Sequence, residues 1–118
     1  MNSIFTVGQL MFGLYFAWNG LNHFMNLKAM MGYAQSKKVP SPQIAVIGTG
    51  LLLLIGGLGV AFNINPKGAA VLLLIFLIPT TFVMHAFWSE HETMAKMIDK
   101  VNFGKNLALI GAILMFLG

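Results

Sequence analysis

Three stripes of polar residues interrupt an otherwise apolar chain. Asn19, Asn22 and His23 stand at i, i+3 and i+4; Thr81, His85 and Ser89 repeat every four; Asn102, Lys105 and Asn106 return to the first spacing. On helices each set occupies one face. Polar groups inside a membrane are costly and turn toward protein or a water-filled cavity, so three stripes predict one shared polar pocket. A neutral imidazole such as His23 or His85 can ligate haem iron or chlorin magnesium, or hydrogen-bond a quinone carbonyl. Trp18, next to Asn19 and one turn before Asn22, is placed to wall such a pocket. The plainer alternative is that Asn and His only join helix to helix. His85 and His91 are six apart, on different helical faces, and no acid is expected inside the helices, so no metal site is predicted. His91, between Glu90 and Glu92, reads as a solvated loop residue.

The elements that must carry these stripes follow from composition. Of 118 residues, 58% are hydrophobic and 8% charged, against roughly a quarter charged in soluble domains. Such a chain has lipid for its solvent. A membrane crossing takes about 20 apolar residues, and four segments approach that length: 4–24, 44–62, 69–88 and 101–118. Unbroken apolar runs do not suit the alternating strands of a barrel, so the runs must be helices. The predicted fold is therefore all-α, an integral membrane four-helix transmembrane bundle formed by one domain. The first run has neither the basic flank nor the cleavage site of a signal peptide and is expected to persist in the mature chain.

Ser41 before Pro42 has the pattern of a helix start, and residues 63–67 form a short polar turn. Ser89 and Glu92 have capping-box spacing, with Met94, Met97, Ile98 and Val101 following at intervals of three and four. That predicts a short amphipathic surface helix before the fourth span, and residues 25–36 are expected to form a similar one. Pro79 removes the N–H that would bond the Ile75 carbonyl and predicts a kink ahead of Thr81. Gly8, Gly13, Gly48, Gly56, Gly57 and Gly111 read as packing surfaces between helices.

Seven Lys, no Arg and three acids give a formal charge of +4. Lys28, Lys37, Lys38, Lys96, Lys100 and Lys105 fall on one side of the predicted topology and Lys67 alone on the other. The excess of positive charge places loops 25–43 and 89–105 in the cytoplasm and both termini outside. Basic loops of this kind face anionic lipid. No basic stripe lies on a soluble surface, which argues against nucleic acid as a partner. With no cysteine, thiol redox pairs and thiolate metal sites are excluded, so electron chemistry would need a bound cofactor.

The segments Gly20-Leu21-Asn22-His23-Phe24, Thr81-Phe82-Val83-Met84-His85-Ala86-Phe87-Trp88 and Asn102-Phe103-Gly104-Lys105-Asn106-Leu107-Ala108-Leu109-Ile110-Gly111, with the Gly-rich second helix, make the chain resemble the DoxX family of small four-helix membrane proteins. The resemblance implies a transmembrane bundle in a prokaryotic plasma membrane and redox work within membrane oxidoreductase complexes. Many relatives carry a Glu in the second helix; residues 47–52 here contain none. On this reading a quinone or similar lipid-soluble ligand would enter the pocket. His23 and His85 would hydrogen-bond its headgroup, Lys105 would stabilise a reduced anion, and Asn19 and Asn106 would orient it. The competing reading is a non-catalytic accessory subunit of a larger membrane complex, its histidines holding a haem or chlorin. Both readings imply lipid together with other membrane subunits, or self-association, as partners.

Overall fold

A computed structural model describes residues 3–118. The described chain is all-helical: α1 (Ser3–Met25), α2 (Leu27–Ser36), α3 (Pro42–Ala61), α4 (Pro66–Met84), a single 3-10 turn (Phe87–Ser89) and α5 (Thr93–Leu117). Two compact units divide at Phe76 and Leu77, inside α4. That is the turn in which Pro79 has no N–H to give to the Ile75 carbonyl.

Three of these helices are long and apolar enough to cross a membrane: Pro42–Ala61, Pro66–Ser89 when the 3-10 turn is counted, and Thr93–Leu117. Their lengths of 20, 24 and 25 residues match a hydrocarbon core about 30 Å thick at 1.5 Å per residue. α1 has 23 residues but is not among them; it carries Gln9, Asn19, Asn22 and His23.

In the first unit α1 lies antiparallel to α3, and small residues let the two backbones meet. A Cβ built on Gly57 would sit 2.6 Å from the Gly13 carbonyl oxygen, and one on Gly20 would sit 2.6 Å from the Leu54 nitrogen and 2.7 Å from the Gly50 oxygen. Gly56 and Gly59 similarly admit Leu73 and Ala69 of α4. Gly8, Gly48 and Gly111 have nothing within 4 Å of a built Cβ, so half of the predicted packing glycines make no such contact. At the other end of the seam, buried Gln9 donates from Nε2 to the Asn63 side-chain oxygen at 3.0 Å, tying α1 to the α3–α4 turn.

That turn is tight for a definable reason. Asn63 takes a left-handed conformation (φ 59), and the Ile64 and Asn63 amides bond the Gly59 and Val60 carbonyls at 2.9 and 3.4 Å. The result is a Schellman cap with Asn in the position usually held by glycine. α2 ends the same way: Val39 and Lys38 donate to Ala34 and Gln35 at 3.1 and 3.0 Å, with Lys38 at φ 62. Lysine bears a steric cost there that glycine does not. Lys38→Gly is therefore expected to stabilise the protein by about 0.5–1 kcal/mol, read as a shift in the unfolding midpoint in mixed micelles; a lower midpoint would show that the cap is not strained. Ser41 does precede α3, as expected, but it sits at φ 47 and its side chain makes no cap hydrogen bond.

In the second unit the predicted surface helix and fourth span are one helix, α5. Its N-cap is Glu92, three residues beyond the predicted Ser89; the carboxylate accepts from the Met94 and Ala95 amides at 3.0 and 2.7 Å. Ser89 belongs to the 3-10 turn instead. One cap at Glu92 leaves no break at which a surface helix could stop, and Met94, Met97, Ile98 and Val101 form an exposed apolar face along the opening turns of α5. The two backbone amides hold the Glu92 carboxyl below its ordinary value of 4.5. A depressed folded value means that the cap's contribution is present above the unfolded value and is lost as pH falls through the folded one. Amide exchange at Met94 and Ala95, corrected for its intrinsic pH dependence, should thus stay constant from neutral pH to about 4.5 and accelerate below it. Glu92→Gln should flatten that profile, and an unchanged profile would count against the cap.

Candidate functional site

The second unit contains an ionisable pair that the sequence reading left out. α4 ends at Met84, so His85 opens the turn rather than continuing the helix, and its carbonyl accepts from the Phe87 amide at 2.9 Å. Its imidazole Nδ1 stands 3.6 Å from Oδ1 of Asp99 on α5. The side chains are 14% and 4% exposed, so the carboxylate is almost completely enclosed. The expectation that no acid lies inside the helices is thereby corrected: Asp99 belongs to the buried face of α5, not to a surface connector. Asp99, Asn106 and Ile113 are the buried residues of that helix, and a seven-residue interval returns to the same face every two turns. The signal was present in the sequence, because Asp99 lies seven residues before Asn106.

Aromatic rings surround this turn. Phe103 of α5 meets Phe82, Phe87 and Trp88 edge to face, with centroids 5.4, 5.4 and 5.6 Å away. Lys100 places its ammonium 5.9 Å from the centre of the Phe87 ring. The arrangement sets an imidazole and a carboxylate beside edge-to-face rings, with cationic charge next to them. Thr81 is fully buried, and its hydroxyl donates to the Leu77 carbonyl at 2.6 Å, which leaves it only an acceptor for other groups. Asn106 is buried on α5 and Lys105 exposed. Of the predicted Thr81, His85, Ser89 stripe, Ser89 drops out because the helix ends before it.

In the first unit His23 is 7% exposed and packs on α3. Its Nδ1 lies 3.1 Å from the Val46 carbonyl and 3.2 Å from the Thr49 hydroxyl, with the Phe76 ring edge-on at 6.1 Å. Thr49, which the sequence reading passed over, is part of this arrangement. Asn19 donates to the Tyr15 carbonyl of its own helix at 3.1 Å. Trp18 is 60% exposed, with its indole turned outward from the unit. Among the described residues no group of three or more His, Cys, Asp or Glu is placed to hold a metal ion.

The family model for DoxX matches residues 4–86, which takes in α1 to α4 and ends at the His85 turn; α5 lies beyond it. No curated protein and no solved structure matches the chain. The family match covers well over half of the sequence and the apolar helices agree with it: the chain is a membrane protein of the DoxX family.

Proposed function

We propose that this protein is a membrane subunit that supports oxidoreduction by binding a quinone, or a similar lipid-soluble ring compound, beside His85 and Asp99. The observation that carries the reading is that pair, 3.6 Å apart, His85 just past the end of α4 and Asp99 on α5, each in a segment long and apolar enough to span a membrane. Ionisable groups at such depth are expensive and mark functional sites. Reduction of a quinone takes up two electrons and two protons. In this reading an imidazole beside a carboxylate supplies a hydrogen bond to one carbonyl oxygen and a route for a proton to it. The electrons come from a reducing partner subunit or its cofactor. The Phe82, Phe87, Trp88 and Phe103 rings offer the ligand an apolar face, Asn106 a further hydrogen bond, and Lys105 positive charge for a reduced anion.

In this proposal α1, α3, α4 and α5 are four passes through a prokaryotic plasma membrane, with residues 25–43 and the turn between α4 and α5 on the cytoplasmic side. Binding of a short-chain ubiquinone to the protein in nanodiscs, read by quenching of Trp88 in a Trp18→Phe background, tests the site. His85→Ala should weaken it about tenfold, the loss of one good hydrogen bond; undiminished binding would sink the proposal. Native extraction that always yields a larger partner, with no quinone bound by the isolated chain, would favour the accessory reading.

A further inference from the structure

We infer that His23 is a hydrogen-bond acceptor held ready for the hydroxyl of a reduced, dihydroxy-aromatic amphiphile, and that it discriminates quinol from quinone. The choice of ligand class rests on the quinone reading above; the acceptor character rests on local geometry alone. A carbonyl oxygen can only accept, so the 3.1 Å contact between His23 Nδ1 and the Val46 carbonyl requires a proton on Nδ1. The alternative, a Thr49 hydroxyl donating to Nδ1, is ruled out by competition. Thr49 has one hydroxyl proton, and it is committed to the Ala45 carbonyl at 2.6 Å, whereas the Nδ1 contact is 3.2 Å. Thr49 therefore accepts from His23, and Nδ1–H is shared between Val46 and Thr49.

In the neutral ring that leaves the lone pair on Nε2. Nε2 makes no hydrogen bond among the described residues, since every bond of this side chain is made through Nδ1. Nor is it a sealed, partnerless atom: among the described residues His23 contributes none. The ring cannot easily rotate away from this arrangement. It is 7% exposed, Phe76 stands against it edge-on, and a Cβ on Gly50 would lie 2.9 Å from the His23 Cβ, so α3 fits closely around it.

An acceptor fixed in this way cannot hydrogen-bond a quinone carbonyl, which has no proton to give. It can hold a quinol O–H. His23 thus favours the reduced form of the ligand.

The full-length protein, with 15N-labelled histidine, is placed in nanodiscs at pH 8, where an ordinary imidazole is neutral, and kept anaerobic. Ring nitrogen correlations are assigned with His85→Gln and His91→Gln variants. The expected result is a pyrrole-type Nδ1 and an imine-type Nε2 at His23, with the Nε2 signal moving on addition of a short-chain ubiquinol and not of the matching quinone. In parallel titrations His23→Phe should lower quinol affinity about tenfold with quinone affinity unchanged, and His23→Gln, which keeps an acceptor oxygen, should recover part of it. A proton found on Nε2, equal responses to the two forms, or a Soret band on haem addition that depends on His23 while quinol leaves Nε2 unmoved would each overturn the inference. Should quinone bind and respond to His85→Ala while His23 stays silent, the His23 inference fails and the quinone reading stands. If neither form binds the wild-type protein, both fail.

Discussion

Replacing Gly57 by leucine is expected to part α1 from α3 and to destabilise the protein by about 3–4 kcal/mol, above the usual range for forced overpacking. The reason is the nature of the obstacle. Cβ at position 57 would meet the Gly13 carbonyl oxygen at 2.6 Å and the Ala17 Cα at 2.9 Å, and backbone atoms have no rotamer to escape into. Even Gly57→Ala should cost about 1–3 kcal/mol by the same route. Gly48 lies on the same helix with open space around it, so Gly48→Ala should leave stability within about 0.5 kcal/mol. Denaturation by SDS in mixed micelles, followed by tryptophan fluorescence, would show the contrast. Equal midpoints for Gly57→Leu and the wild type would mean that the seam carries no energy.

The second large effect concerns the His85 and Asp99 pair, and it is asymmetric. His85→Leu removes the partner that can share or accept a proton and leaves a carboxyl group whose side chain is 4% exposed. The expected loss is about 3 kcal/mol, as for other enclosed ion pairs broken from one side. Asp99→Leu leaves an imidazole that can simply remain neutral, so its cost should be smaller, about 1 kcal/mol. The double variant replaces both polar groups by apolar ones and should return to within about 1 kcal/mol of the wild type. A double-mutant cycle at neutral pH would therefore give a coupling of about 3–4 kcal/mol. Additive single effects would show that the pair does not act as a unit.

The sequence makes the apolar helices legible because composition and length decide them. It locates the α3–α4 turn for the same kind of reason: Asn63, Asn65 and Pro66 are local signals. Where the chain leaves helix for turn after Met84 is not visible locally. Thr81 and His85 continue the four-residue spacing, and nothing between them marks the stop. Asp99 was hidden by a choice of element. Once residues 89–100 are read as a surface helix, an acid there belongs in water; read as the opening turns of one long helix capped by Glu92, it falls on the buried face. Polar stripes found in sequence give the face of a helix, but not whether a side chain is spent on its own backbone, as Asn19 and Thr81 are. The hydroxyl competition that fixes the His23 tautomer depends on differences of a few tenths of an ångström, which no spacing rule can encode.

The Gly13–Gly57 seam also bears on how the polar groups of α1 are satisfied. α1 precedes α3 in the chain, yet it is the long helix that does not qualify as a span, because Gln9, Asn19, Asn22 and His23 offset its apolar residues. Held against α3, it has Gln9 bonded to Asn63 and His23 bonded to Val46 and Thr49, so these two polar groups are buried. The α1–α3 hairpin with its following turn is thus the smallest piece of the chain in which Gln9 and His23 are satisfied, and α1 alone is not.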